Sequence, residues 1–140
     1  MITPVSFELS KLLKEKGFNQ KCLHHYSKYT SNKEELKVGN TTWLQFVDWN
    51  DVKSALTNYT LYSAPTIAEV VMWCFNKYKY SIEYSMNIPE SGEYDGCYVF
   101  NGLIKGSEDY KLKIFYTSKD YPTAEKALED TINHFLINFF

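Results

Sequence analysis

The run with the most reactive side chains is Cys22-Leu23-His24-His25, a thiol and two imidazoles within four residues. On a strand, Cys22 and His24 share one face and His25 points to the other. Such a pair offers either a thiol nucleophile beside an imidazole base or the beginning of a metal site. A metal needs further ligands, and His134 is the one remaining histidine. Nothing in the surrounding sequence would lower the thiol pKa of Cys22 or Cys97. The plain alternative makes Cys74 and Cys97 small core residues and His24 and His25 polar strand or loop residues. The carboxylate pairs Glu34–Glu35 and Glu90–Glu93 fall in loop-like stretches, where burial rarely tunes a general acid. Phosphate loops, nucleophile elbows, zinc-helix motifs and cysteine pairs at zinc spacing do not occur. No catalytic residue, metal or cofactor is therefore expected. Whether the chain is an enzyme stays open, with the balance against it.

The aromatic residues point in another direction. Trp43, Phe46, Trp49, Tyr59 and Tyr62 lie in a segment with weak secondary-structure signals. Packed inward, they fill a core. Exposed, they make a recognition surface or an aromatic-walled pocket, with Asn50, Asp51 and Lys53 as its polar groups. Met72 and Trp73 raise the same choice between a second packing face and a contact surface for another chain. Trp43, Trp49, Tyr59, Tyr62 and Trp73 are thus the candidate ligand or partner contacts.

These residues must be positioned by helices and strands that the spacing of apolar residues predicts. Ile67, Val70, Val71, Cys74, Phe75 and Tyr78 recur at i, i+3, i+4, i+7, i+8 and i+11, one face of a helix over 63–78. Thr66 and Glu69 have capping-box spacing, Ser63 is an alternative cap, and Pro65 bars a helix from entering upstream. A helix over 3–16 is expected to start at Thr3 and Pro4 with an Ile2–Phe7 staple. It buries Val5, Leu9, Leu12 and Leu13 and stops at Gly17. Thr123 caps a last helix whose stripe is Leu128, Ile132, Phe135 and Phe139, and so apolar a terminus must be tied down.

Strands are expected over 22–29, 42–49, 80–86, 96–104 and 111–117. Tyr80, Ile82, Tyr84 and Met86 alternate in the third of these, which implies one buried face. The last two strands form a hairpin turning over 105–109, and Gly102 is expected to mark a bulge. The stretch 31–40 reads as a loop or turn, and 50–62 as a connection or a short helix over 51–56. The order is α-β-β-α-β-β-β-α. It implies a single α+β domain, 1–140, with an antiparallel sheet of about 4–5 strands and three helices packed mainly on one face.

A formal net charge of −2 lacks the basic footprint of a nucleic-acid binder and the charge density of a DNA mimic. No apolar run reaches membrane-spanning length, and no signal peptide is expected. Three cysteines without a close pair fit free thiols in a reducing cytoplasm. An aromatic share of 17% favours a sheet-containing fold with some rings at the surface.

The stretches FELSKLLKEKGF (7–18), SAPTIAEVVMWCFNKYKYSIEY (63–84) and YPTAEKALEDTI (121–132) together resemble a group of small uncharacterised proteins. These occur in phages, prophages and other mobile elements of Bacteroidetes. The resemblance covers about a third of the chain and rests on a leucine-rich first helix, an Ala-Pro-Thr-started helix carrying a Trp, and a Glu-Ala-rich last helix. It implies an intracellular protein of phage or prophage origin and brings no activity or site residues with it. The functional expectation is a non-enzymatic, cytoplasmic binding protein acting on a host or defence component or forming a homo-oligomer. An alternative is a sponge that captures a defence signalling nucleotide, with Lys28, Lys33, Lys37 and Lys53 supplying charge. A less favoured reading is a small enzyme using Cys22 and His24. Neither nucleic acid nor membrane is expected as a partner.

Overall fold

A computed structural model describes residues 3–29, 33–38, 46–52, 59–89 and 97–140. The chain divides into two compact units, the first ending at Thr66 and the second opening at Ile67. The N-terminal unit contains α1 (Phe7–Glu15), β1 (His24–Tyr29), β2 (Glu35–Val38) and β3 (Tyr59–Ala64). The C-terminal unit contains α2 (Ile67–Tyr78), β4 (Ser81–Asn87), β5 (Val99–Glu108), β6 (Lys111–Thr117) and α3 (Ala124–Asn138). Among the described residues the class is α+β with three helices, as expected. The strands form two antiparallel sheets of three, ordered β2-β1-β3 and β4-β5-β6. The observed order is α-β-β-β-α-β-β-β-α, with one more strand before the second helix than expected.

In the N-terminal unit the first helix starts later than its Thr3-Pro4 signal. Ser6 is the N-cap, and its hydroxyl accepts from the Leu9 N–H at 3.3 Å. Pro4 and Val5 are held extended. Pro4 bridges Thr66, and the Val5 N–H donates to the Pro65 carbonyl at 2.9 Å. That pairing satisfies backbone groups that another helical turn would leave unpaired. The Ile2–Phe7 staple lies outside the described residues. Gly17 stops the helix as expected, with φ of 84°. Its N–H bonds the Lys14 carbonyl and the Phe18 N–H bonds the Leu13 carbonyl, which completes a Schellman motif.

Strand β1 falls within the expected 22–29, whereas β2 and β3 occupy stretches read as turn and connection. Both are short, and both gain their ladder from β1, which lies between them. The expected strand over 42–49 is corrected in its described part. Residues 46–52 carry an isolated bridge, Val47 to Cys22, followed by a turn. Residues 42–45 lie outside the described residues.

In the C-terminal unit the hairpin β5–β6 turns through Asp109 and Tyr110, with φ of 51° and 61°. This is the paired left-handed geometry of a two-residue hairpin turn. Gly102 marks a close approach instead of a bulge. A Cβ there would lie 1.8 Å from Thr131 Oγ1 of α3. The ladder shifts at Ile104/Lys105, where Phe115 has no residue opposite. Helix α3 is capped by Thr123 and buries Ala127, Leu128, Thr131, Ile132, Phe135 and Leu136 against the sheet. Phe139 and Phe140 pack on Tyr80 and Tyr78, which ties the apolar terminus down. Helix α2 is rotated from its expected stripe. Ile67, Val70, Trp73 and Cys74 are buried, while Met72 and Phe75 are 60% and 48% exposed. On β4 only Ile82 of the expected buried face is covered; Tyr84 and Met86 are 47% and 55% exposed. Among the described residues, no helix is long and apolar enough to cross a membrane.

Candidate functional site

The Cys22–His25 run is built into the N-terminal sheet. Cys22 is fully buried, and its Sγ donates to the His24 carbonyl at 3.3 Å. His25 is buried on β1, opposite Lys37 on β2 and Ser63 on β3. Its ring stacks on Trp49 at 4.0 Å between centroids. Burial pushes the His25 pKa below its ordinary value, and the Lys37 and His24 charges act the same way. Cys74 is buried in the other unit, and burial pushes its thiol up to about 12. It is therefore not a thiolate at neutral pH. Cys97 is exposed. Among the described residues, no group of three His, Cys, Asp or Glu side chains could hold a metal ion.

The aromatic candidates are dispersed. Trp49 Nε1 donates to the Cys22 carbonyl at 2.9 Å, so the ring's polar edge is used internally. Asn50 is likewise spent: its Oδ1 accepts from the Ser63 N–H at 2.9 Å and its Nδ2 donates to the Phe18 carbonyl at 3.0 Å. Asp51 is exposed. Tyr62 is half-buried, edge-on to Phe7 at 5.2 Å, and Phe7 also meets Tyr26. Lys14 Nζ sits 4.9 Å from the Tyr62 ring centre, and Lys11 and Lys28 lie over Phe7. Lys14 also donates to the Leu61 carbonyl at 2.7 Å, and Lys11 pairs with Glu8. Of the lysines considered for anion capture, Lys28 reaches this cluster, Lys37 pairs with Glu35, and Lys33 is exposed. Tyr59 opens β3 opposite Tyr29. Trp43 and Lys53 lie outside the described residues. Trp73 is 4% exposed and packs edge-on against Tyr78, inside the C-terminal unit.

An open groove lies in the C-terminal unit, with a volume of ≈ 420 Å³. Ala68, Val71 and Met72 of α2 form one wall, Ile82 and Tyr84 of β4 the other, and Leu128 of α3 contributes at the base. Glu83 is the charged residue in the lining, and Lys105 holds its carboxylate at 3.3 Å. The other lining side chains are apolar apart from the Tyr84 hydroxyl, and Phe75, Met86 and Ile88 of the same unit are also exposed. An arrangement of this kind can bury apolar side chains of a partner, and Met72 adapts to varied shapes.

The sequence signals for this groove were Met72 lying off its stripe and the Tyr84–Met86 alternation. The alternation identified a shared strand face without revealing that helix cover ends beyond Ile82. No family model, curated protein or solved structure matches the chain, so the functional reading rests on its own geometry.

Proposed function

We propose that this chain is a non-enzymatic binding protein that docks a polypeptide partner on the α2–β4 face of its C-terminal unit. The carrying observation is the apolar groove with Met72 at 60% and Tyr84 at 47% exposure on its walls. Exposed side chains of this size gain free energy when a partner removes them from water, at roughly 25 cal/mol per Å² of apolar surface. The resemblance of 7–18, 63–84 and 121–132 supports a cytoplasmic protein of phage or prophage origin. Its partner is then a host or defence component or another copy of the chain.

The test compares wild type with Met72→Glu in affinity capture from the host, with a second, differently tagged copy present. A polypeptide held stoichiometrically by wild type and lost from Met72→Glu supports the reading. Equal recovery on both, or no polypeptide on wild type, overturns it. The nucleotide-capture alternative draws on the lysines around Phe7 and Tyr62. Ultraviolet-absorbing nucleotide released from wild type on heating, and absent after Lys14→Ala, would favour it.

A further inference from the structure

We infer that the partner on the α2–β4 face is a second copy of this chain, joined through antiparallel pairing of the two β4 edges. The inference rests on the docking reading above and names its occupant.

Among the described residues the two sheets present four outer strands, and three carry features that discourage pairing. β2 is four residues long and bears Glu35 and Lys37. On β3, Asn50 accepts from the Ser63 N–H and Lys14 donates to the Leu61 carbonyl, so side chains occupy outward backbone groups. β6 is interrupted by the shift at Phe115 and carries Lys111 and Lys113, the latter paired with Glu108. Charges, bulges and short length are the usual protections of a sheet edge. β4 runs for seven residues without a bulge and with a single charge. Its ladder, among the described residues, is with β5, and its one charge, Glu83, is balanced by Lys105.

Length and charge select the register. A twofold antiparallel contact sets one residue against its own copy, and Tyr84, the midpoint of β4, gives the longest ladder. Centred on Glu83, the strand would set that carboxylate against its own copy, which is unfavourable. Centred on Tyr84, Tyr84 faces its counterpart, Ile82 faces Met86, and Glu83 faces Ser85. Every opposed pair is then apolar–apolar or involves at most one charge. Such a contact is isologous, closes on two copies and yields a continuous six-stranded sheet.

Helix α2 fits the same occupant. Ala68, Met72 and Phe75 fall at i, i+4 and i+7 and are exposed, so the groove wall continues along the helix as an apolar stripe. A twofold axis through Tyr84, normal to the sheet, places both α2 helices on the same side of the joined sheet. The exposed stripes and the Tyr84–Met86 surfaces then bury one another.

The experiment is the solution mass of the full chain across a dilution series, by light scattering and sedimentation. Wild type is expected at twice the 16.4 kDa chain mass. Tyr84→Lys and Met72→Glu should each weaken association by about tenfold or more while far-ultraviolet dichroism stays unchanged. Tyr84→Cys in a Cys97→Ser background should cross-link on mild oxidation, and Phe46→Cys in the same background should not. A monomer at every concentration overturns the inference. So does a dimer insensitive to both groove variants, or a Tyr84→Cys chain that fails to cross-link. A monomeric wild type that still retains another polypeptide through Met72 would leave the docking reading standing without this partner. Retention of none would remove both.

Discussion

His25 concentrates the residue-scale physics of the N-terminal unit. Among the described residues its buried Nδ1 has no hydrogen-bond partner, and its ring stacks on Trp49. Because burial lowers its folded-state pKa below 6.5, the unfolded chain binds the proton more readily. Stability is therefore greatest above about pH 6.5 and falls as acidification takes the pH from the unfolded pKa toward the folded one. His25→Phe should flatten that acid-side decline in urea titrations between pH 7 and 5. Ser10 offers a simpler case. It lies buried in α1 with its hydroxyl unpartnered. Ser10→Ala removes an unsatisfied group and adds helix propensity, so urea unfolding should report a gain of about 0.5–1 kcal/mol.

Among the elements, the contact of β5 with α3 depends on the absence of one Cβ. At Gly102 the Thr131 hydroxyl and the Ala127 carbonyl occupy the space that a methyl would need. The Gly102 N–H donates to Ser118 Oγ at 2.8 Å. A retreat of the strand from α3 strains that bond. Gly102→Ala should cost about 2–3 kcal/mol in thermal or urea unfolding. Adding Thr131→Ala should recover only part of the loss, because the Ala127 carbonyl still stands 2.7 Å from the new carbon. Full recovery by that second change would mean that the hydroxyl alone sets the spacing.

At the scale of the whole molecule, the three thiols report on the two units separately. Cys22 is buried in the N-terminal unit and Cys74 in the C-terminal unit, while Cys97 is exposed. A thiol reagent should modify Cys97 in the native protein at once. It should reach Cys22 and Cys74 only through opening of their own units. Mass spectrometry of the modified peptides over time should give one fast site and two slow ones. Gly102→Ala should accelerate Cys74 more than Cys22 if the units open independently. Equal acceleration would show that they open together.

Elements whose information is local are legible in the chain alone. Thr123 and the apolar stripe beyond it located α3, Gly17 ended α1, and the 111–117 strand has the expected bounds. Caps, left-handed stops and period-2 runs act within a few residues, so adjacent side chains suffice to encode them. Tertiary structure decided where pairing partners come from afar. Pro65 drew Val5 out of the first helix, and β1 made strands of 35–38 and 59–64, which carry little signal alone. It also decided which apolar residues are covered. Met72 and Trp73 adjoin in sequence and look alike in pattern, yet α2 buries the tryptophan and exposes the methionine. Periodicity fixes the angle between residues on a helix, while the packing of neighbouring elements fixes which of those angles faces water.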